Sequence, residues 1–106
     1  MQIEIREMPE ADVLVVLARR LDAAVAEKFK EEAVAQAGRS GRPIHIDLGR
    51  VEFVDSSGLG ALVGVLKAVG DADRLALVRP ARQVRTVLDM TRLSSVFRIL
   101  DDTTAR

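Results

Sequence analysis

The spacing of hydrophobic residues changes several times along this chain, and that alternation constrains the fold more than any other feature. Residues 2–6 alternate apolar and polar side chains, whereas residues 13–18 form a continuous apolar run rich in valine. The first pattern is typical of a half-buried β-strand and the second of a fully buried one. The apolar residues that follow fall four apart, which is typical of one face of an amphipathic α-helix. They are Leu21, Val25, Phe29 and Ala33.

Capping and turn residues mark the ends of the predicted helices. Asp22 is a suitable N-cap for the first helix, and the segment 38–43, with two glycines and a proline, predicts its end and a loop. Asp and Ser at 55–57 predict the start of a second helix, apolar on nearly all sides, which ends at Gly70. Pro80 is suited to the first position of a third helix.

Within the second helix, Gly60 and Gly64 lie four residues apart. A glycine has no Cβ, so this spacing predicts close packing of another backbone against the helix. The cost in helix propensity is roughly 1 kcal/mol for each glycine.

The remaining apolar runs complete an alternating order of elements. Short apolar segments at 44–48, 75–78 and 96–100 predict three more strands, and the polar tail 101–106 is expected to fray. The order ββαβαβαβ favours an α/β sandwich, a small mixed β-sheet packed with helices. We expect an antiparallel opening hairpin and parallel later strands. A length of 106 residues without a linker or repeat predicts a single domain spanning 1–106.

The composition excludes several classes of function. The 16 basic and 16 acidic residues give a formal net charge of zero, and tyrosine and tryptophan are absent. We therefore expect no nucleic-acid partner, since the chain has neither a basic field nor the usual stacking platforms. No apolar run approaches the ~20 residues of a membrane span and no signal peptide opens the chain, so we expect no membrane partner and a cytoplasmic location. The absence of cysteine excludes disulfides and thiolate metal sites.

Residues suited to catalysis are scarce as well. The single histidine, His45, lies in the predicted strand 44–48, on the same strand face as Asp47. We interpret these two residues as the polar face of a strand that lies at the surface or under a helix. No motif supplies further metal ligands, so the sequence predicts no metal, no cofactor and no catalytic residue.

Residues 55–58, Asp-Ser-Ser-Gly, lie where a polar loop enters the second helix. One interpretation is a simple helix cap, in which one side-chain oxygen accepts a hydrogen bond from the first turn. The other interpretation starts from the number of residues that could cap the helix. One capping residue suffices, whereas residues 55–57 supply three in a row. A spare serine hydroxyl at a helix N-terminus is exposed, and the helix dipole there favours an added phosphate of about −1.5 to −2 charges. The spacing alone leaves both interpretations open.

The longer segment 51–62 resembles the signature of bacterial anti-sigma factor antagonists, the single-domain branch of the STAS family. It reads Val-Glu-Phe-Val-Asp-Ser-Ser-Gly-Leu-Gly-Ala-Leu. Three other segments match in register: Leu-Asp at 21–22, the central strand 44–48, and the segment 88–97, which resembles a closing helix and turn. The resemblance covers nearly the whole chain and implies a STAS-type sandwich with the signature at the start of the second main helix.

The resemblance also implies a mechanism called partner switching. The unphosphorylated protein would bind a serine kinase of the histidine-kinase-like ATPase type, which is also the anti-sigma factor, and free its client. Phosphorylation of Ser56, the first serine after the aspartate, would abolish this binding, and a PP2C-type phosphatase would reverse it. In this scheme the chain is not an enzyme, because the kinase and phosphatase carry out the chemistry. The partner-binding positions implied are Asp22, Asp55, Ser57, Gly58 and Leu59.

Two arginines replace glycines of the family pattern. Arg19 stands where a glycine normally precedes Leu-Asp, and Arg92 stands at the glycine of a late turn. We expect these changes to affect the choice of partner more than the fold. Arg19 or Arg20 is also a candidate ligand for a phosphate on Ser56. The alternative is that both are ordinary solvated charges.

Other functions remain as alternatives. One is a STAS interaction or scaffold subunit of a larger regulatory or transport assembly, which is never phosphorylated. A serine hydrolase is disfavoured, because the Gly-x-Ser-x-Gly elbow is absent and His45 would be the sole base. Glycine motifs for nucleotide binding are absent too. We interpret the arginine-rich stretch 79–92 as a solvated helix face rather than a nucleic-acid patch.

Overall fold

The computed structural model describes residues 2–101, and its elements follow the predicted alternation except for two unpredicted two-residue strands, at Arg20–Leu21 and Phe53–Val54. The tail expected to fray at 101–106 falls outside this range except for its first residue. Short 3-10 turns at Ala72–Arg74 and Leu93–Ser95 precede the last two strands. The strands and helices of the described range are β1 Ile3–Glu7, β2 Asp12–Val16, β3 Arg20–Leu21, α1 Ala26–Ser40, β4 Ile44–Asp47, β5 Phe53–Val54, α2 Ser56–Val69, β6 Leu75–Val78, α3 Arg82–Met90 and β7 Arg98–Leu100.

Five strands form the main sheet, in the order β1-β2-β4-β6-β7. β1 pairs antiparallel with β2, as predicted for a hairpin, and the other neighbours pair in parallel. Each step from one parallel strand to the next passes through one helix, since parallel neighbours need a crossover connection. The mixed α/β sheet packed with helices confirms the predicted fold class.

One face of the sheet carries the hydrophobic core. Ile46 and Leu77 lie in the same row of the sheet and are fully buried. They belong to one cluster with Phe29 of α1, Leu62 of α2 and Leu88 of α3. Burial of each such side chain contributes roughly 1.5–3 kcal/mol relative to exposure, so the shared cluster fixes all three helices on this face.

The opposite face of the central strand is also buried. His45 and Asp47 are only 7% and 4% exposed. Of the two positions predicted for their strand face, the one at the surface is therefore wrong. Asp47 accepts a hydrogen bond from the Gly49 N–H and forms an ion pair with Arg79 at 3.2 Å. A carboxylate tolerates burial when it is paired in this way. Alternation along one strand does not reveal that the strand lies at the centre of the sheet.

The first helix begins later than predicted. α1 starts at Ala26, and its N-cap, Val25, makes no side-chain capping bond. The prediction of Asp22 as the helix cap is therefore wrong. Asp22 lies instead in a preceding turn, where its carboxylate accepts a hydrogen bond from the Ala24 N–H at 3.1 Å. The start is delayed because the residues before Asp22 pair as the strand β3.

Three other predicted ends shift by a few residues. Gly38 lies inside α1, and Gly41, with a φ of +67°, forms its left-handed C-cap. Pro80 lies before α3, whose N-cap is Ala81. The predicted strand 96–100 is shorter, because β7 begins only at Arg98 after a 3-10 turn. Several residues near each helix or strand end satisfy the local capping preference, so the sequence does not fix the boundary to a single residue. Packing against the core decides where each element begins or ends.

Candidate functional site

A second, two-stranded sheet positions the Asp-Ser-Ser-Gly segment. β3 and β5 pair in parallel, with Arg20 opposite Phe53 and Leu21 opposite Val54. Leu21 and Val54 are buried, whereas Arg20 and Phe53 are exposed. The Asp55 N–H extends the pairing by donating to the Leu21 carbonyl at 3.3 Å. This β3–β5 ribbon therefore brings the turn after β3 next to the start of α2.

Asp55 alone caps α2. Its carboxylate accepts a hydrogen bond from the Gly58 N–H at 3.0 Å, and its carbonyl accepts one from the Leu59 N–H at 2.9 Å. Ser56 and Ser57 are the first two residues of the helix, and both are exposed. Within residues 2–101, neither serine hydroxyl has a hydrogen-bond partner. The cap and the surplus hydroxyls inferred from the sequence thus occur together.

Gly58 is the point of closest approach between the helix and the ribbon. A Cβ placed on Gly58 would lie 2.1 Å from the carbonyl oxygen of Leu21. The prediction that another backbone packs closely at Gly60 and Gly64 is therefore wrong, because the close approach occurs at Gly58. A Cβ on Gly60 meets nothing within 4 Å, and one on Gly64 meets only the side chain of Lys30, at 3.0 Å. The first turn of α2 sits against β3 because residue 58 has no side chain.

A surface cleft of about 270 Å³ opens beside Ser57, between the start of α1 and the first turns of α2. Small side chains on both helices leave the space, and Glu27 and Lys30 flank it with opposite charges. Ser57 contributes to the lining, whereas Ser56 does not. The lining consists of Ala23, Ala26, Glu27, Lys30, Ser57, Gly60 and Ala61.

Arg20 of β3 and the preceding Arg19 have different surroundings. The Nε of Arg20 lies 3.4 Å from a carboxylate oxygen of Asp22, and its guanidinium carbon lies 4.2 Å from the centre of the Phe53 ring. The Nε of Arg19 lies 3.7 Å from a carboxylate oxygen of Glu52, and both of these side chains are more than half exposed. The Arg20 guanidinium therefore bridges the ribbon and the Asp22 turn.

Comparison with known proteins agrees with this geometry. The model of the STAS domain family matches residues 2–105 of this chain. The chain belongs to the STAS domain family. An anti-sigma-B factor antagonist of Listeria monocytogenes is 31% identical over 98 residues, which are 92% of this STAS domain and 86% of that protein.

Solved structures show the same fold. A putative anti-sigma factor antagonist of Thermotoga maritima has a TM-score of 0.80 at 25% identity, with 96% of this STAS domain and 88% of that chain covered. SpoIIAA, an anti-sigma factor antagonist solved in its unphosphorylated form, has a TM-score of 0.71 at 21% identity, with 92% and 86% covered. The phosphorylated form of SpoIIAA from Bacillus has a TM-score of 0.63 at 21% identity, with 92% and 89% covered.

Arg92 of this STAS domain occupies a position where the backbone favours glycine. Its φ is +64°, in the left-handed region, at the start of the 3-10 turn before β7. Its carbonyl accepts a hydrogen bond from the Ser95 hydroxyl at 2.8 Å. An L-residue is strained in this region, so the departure noted in the sequence has a local conformational cost.

The structure brings the predicted site residues into one area. Asp22 and Asp55 follow the two strands of the ribbon, and Ser56 and Ser57 follow Asp55 directly. Leu59 differs from the other site residues because its side chain is a hydrophobic one that packs against the core. The sequence analysis missed the stacking of Arg20 on Phe53, since two-residue strands carry no periodic signal. It also missed the place of Lys30 in the cleft, because that depends on how α1 packs beside α2.

Neither a metal site nor a membrane span is found in the part of the chain that the structure describes. Within residues 2–101, no three side chains among His, Cys, Asp and Glu are grouped so that they could hold a metal ion. None of the helices in that range is long and apolar enough to cross a membrane.

Proposed function

We propose that this STAS domain is an anti-sigma factor antagonist that acts by partner switching, with Ser56 as its phosphorylation site. The observation that carries the proposal is the exposed Ser56 hydroxyl in the first turn of α2, which the helix does not use because Asp55 caps it. The relative in Listeria monocytogenes is named an anti-sigma-B factor antagonist. SpoIIAA, which shares the fold, has been solved in unphosphorylated and phosphorylated forms.

In the proposed cycle, the unphosphorylated chain binds a serine kinase of the histidine-kinase-like ATPase type, which is also the anti-sigma factor. The binding surface is formed around Asp22, Asp55, Ser57, Gly58 and Leu59, and its occupation frees the client of the kinase. The Ser56 hydroxyl oxygen then bonds to the γ-phosphorus of ATP, the bond to the ADP oxygen breaks, and the hydroxyl proton passes to a base on the kinase.

The added phosphate ends the binding by charge and bulk. It carries about −1.5 to −2 charges, and it stands beside two carboxylates, those of Asp22 and Asp55. A kinase surface that accommodates the neutral hydroxyl is repelled by this cluster. A PP2C-type phosphatase then hydrolyses the phosphoester with water and restores the serine. The cycle takes place in the cytoplasm without a nucleic acid, a membrane or a cofactor on this chain.

The site assignment is tested with a histidine-kinase-like ATPase encoded beside this gene, ATP and mass spectrometry. We expect one phosphate on the wild-type chain and on Ser57→Ala, and none on Ser56→Ala. Ser57→Ala is the matched control, because it removes the adjacent exposed hydroxyl and leaves the rest of the site intact. Unchanged phosphate uptake in Ser56→Ala contradicts the assignment.

The switch itself is tested by measuring the affinity of the same kinase for Ser56→Asp. We expect binding at least a hundredfold weaker than that of the wild type, which corresponds to about 3 kcal/mol. Ser56→Asn is the matched control of similar size without the charge, and we expect it to bind far more tightly than Ser56→Asp. Equal affinity of Ser56→Asp and the wild type would favour a constitutive scaffold subunit instead.

A further inference from the structure

We propose that Arg20 binds the phosphate of phosphorylated Ser56 and leaves the Asp22 carboxylate and the Phe53 ring when it does so. The inference rests on the proposed function only in taking Ser56 as the modified residue. Beyond the proposed function, it assigns to Arg20 the role of binding the phosphate. When Arg20 moves to do so, the surface around Asp22 and Phe53 changes.

The register of the β3–β5 ribbon places Arg20 beside the strand that leads into Ser56. Arg20 lies opposite Phe53, and both side chains are on the exposed face of the ribbon, since their neighbours Leu21 and Val54 are buried. Ser56 follows Phe53 by three residues, a separation of at most about 10 Å at 3.3 Å per residue of extended chain, since Ser56 already begins α2. An extended arginine side chain and a phosphoserine cover this separation between them.

The guanidinium of Arg20 is already turned toward the start of α2. Its Nε contacts Asp22, which follows the end of β3. Because β3 and β5 are parallel, this end of β3 lies beside the end of β5, where the chain enters α2. The Leu21 carbonyl between Arg20 and Asp22 accepts a hydrogen bond from the Asp55 N–H at 3.3 Å and lies against Gly58. The charged end of Arg20 therefore lies at the same end of the ribbon as the modified hydroxyl.

The present contacts of Arg20 are weak enough to be exchanged. Only Nε approaches Asp22, at 3.4 Å, and the side chains of Arg20 and Asp22 are 62% and 25% exposed. A phosphate offers three oxygens and up to two charges, and it matches the fork of a guanidinium with two parallel hydrogen bonds. A bidentate pair with a dianion is stronger than a single long contact with a carboxylate.

The other cations near the ribbon are directed elsewhere. Arg19, just before the strand, contacts Glu52 and lines a separate cleft that also includes Ala81, the N-cap of α3. Lys30 of α1 lines the cleft beside Ser57, which does not include Ser56. Of the three candidates, Arg20 is the one whose guanidinium contacts Asp22, at the end of the ribbon that leads into α2. Its neighbours there are acidic, namely Asp22 and Asp55.

Movement of Arg20 changes more than the local charge. The Phe53 ring is 40% exposed with the guanidinium above it, so withdrawal of Arg20 uncovers an aromatic face on the partner-binding side. The Asp22 carboxylate loses its cation at the same time. The phosphorylated surface is therefore more acidic at Asp22 and more apolar at Phe53 than the phosphate alone would make it.

The test uses phosphoserine installed at position 56 during translation, which requires no kinase. A ³¹P NMR titration then gives the second pKa of the phosphate in the full chain. We expect Arg20→Ala to raise this pKa by about half a unit, because a nearby positive charge favours the dianion. Arg20→Lys, which keeps the charge but not the fork, should give a smaller rise.

Two matched controls accompany this titration. Arg19→Ala removes an equal charge from the adjacent residue, and we expect it to move the phosphate pKa by less than about 0.1 unit because that side chain is exposed and directed away. Phosphoserine at position 57 is the second control, since its surroundings include Lys30, and Arg20→Ala should leave its pKa unchanged.

The NMR signals of the Arg20 side chain provide an independent measurement. The ring current of Phe53 shifts these protons upfield, and phosphorylation at 56, but not at 57, should move them downfield. An equal phosphate pKa in Arg20→Ala and the unsubstituted chain, or Arg20 signals that stay at their ring-shifted positions, overturns the proposal. Failure of the kinase to modify Ser56 would instead contradict the proposed function and leave this result standing.

Discussion

The amino edge of the main sheet differs from the β3–β5 ribbon and the first turn of α2, which follow the carboxyl edge, because the same kinds of polar residue are buried in the first and exposed in the second. At the amino edge, where β2, β4 and β6 begin, Asp12 is 1% exposed. Its carboxylate accepts hydrogen bonds from Gln36 at 3.2 Å and from Arg42, and Arg42 also donates to the Met8 carbonyl. The polar groups of this edge are satisfied inside the protein.

Arg74 extends the same set of contacts to the end of α1. Its Nε donates to the Arg42 carbonyl at 2.8 Å, and its guanidinium also donates to the carbonyl of Ala37 in the last turns of the helix. Cations at a helix C-terminus satisfy carbonyls that have no partner within the helix. The amino edge is therefore tied together by arginines that serve the fold.

At the carboxyl edge, the polar groups of the ribbon and of the first turn of α2 are largely exposed. Asp55 and Gly58 serve the fold, whereas Ser56, Ser57 and Arg20 are available at the surface. The comparison teaches that residue type alone does not distinguish a structural cluster from a functional one. What distinguishes them is burial and whether each polar atom already has a partner.

The largest effect is expected at the carboxyl edge, in its structural glycine. Gly58→Ala places a Cβ 2.1 Å from the Leu21 carbonyl oxygen, so the helix or the ribbon must shift. We expect the free energy of unfolding to fall by about 3 kcal/mol, the upper range for overpacking. Urea denaturation followed by circular dichroism measures this change.

Gly60→Ala is the matched control for that substitution, two residues further along the same helix. A Cβ there meets nothing within 4 Å, so we expect a gain of roughly 0.5–1 kcal/mol from helix propensity. Equal losses for the two alanines would show that the close approach at Gly58 does not limit stability.

The next largest effect is expected at the amino edge. Asp12→Ala leaves the buried amide of Gln36 without its acceptor and removes the partner of Arg42. We expect a loss of about 2 kcal/mol in the free energy of unfolding, reduced from the value for a fully buried pair because Arg42 reaches solvent. A loss below about 0.5 kcal/mol in urea denaturation would contradict the structural role of this edge.

The same residue predicts an acid dependence of stability. Burial alone would raise the pKa of Asp12, but hydrogen bonds from Ser40, Gln36 and Arg42, together with the charge of Arg42, hold this pKa below its ordinary value. The ionised Asp12 carboxylate therefore makes its full contribution to the free energy of unfolding above the ordinary pKa of about 3.9. This contribution is lost as the pH falls through the lower pKa of the folded state. Asp12→Asn should show a shallower loss of stability below about pH 4 than the wild type.

The smallest effects separate the cap from the spare hydroxyls. We expect Asp55→Ala to lower the free energy of unfolding by about 1 kcal/mol, as is typical for the loss of an N-cap. Ser56→Ala and Ser57→Ala remove exposed hydroxyls without partners, and each should change stability by less than about 0.5 kcal/mol. If Ser56→Ala were as destabilising as Asp55→Ala in thermal unfolding, the hydroxyl would be structural and the contrast between the edges would fail.

Particular elements show where reasoning from the sequence succeeded. The periodicity of residues 2–6 and 13–18 predicted the opening hairpin, and the surplus of capping residues at 55–57 predicted an exposed hydroxyl. These features depend on neighbours in the chain, which the sequence displays directly. The delayed start of α1 at Ala26 and the burial of His45 depend on distant segments, so local patterns did not reveal them.

The sequence by itself determined the order of the main-sheet strands and the three helices, and the capping segment at 55–57. Only the tertiary structure decided that Gly58 rather than Gly60 meets another backbone, and that Arg20 contacts Asp22 whereas Arg19 contacts Glu52. The physical reason is the β3–β5 ribbon. Two residues per strand are too few to show a period, yet their pairing sets which side chains share a surface.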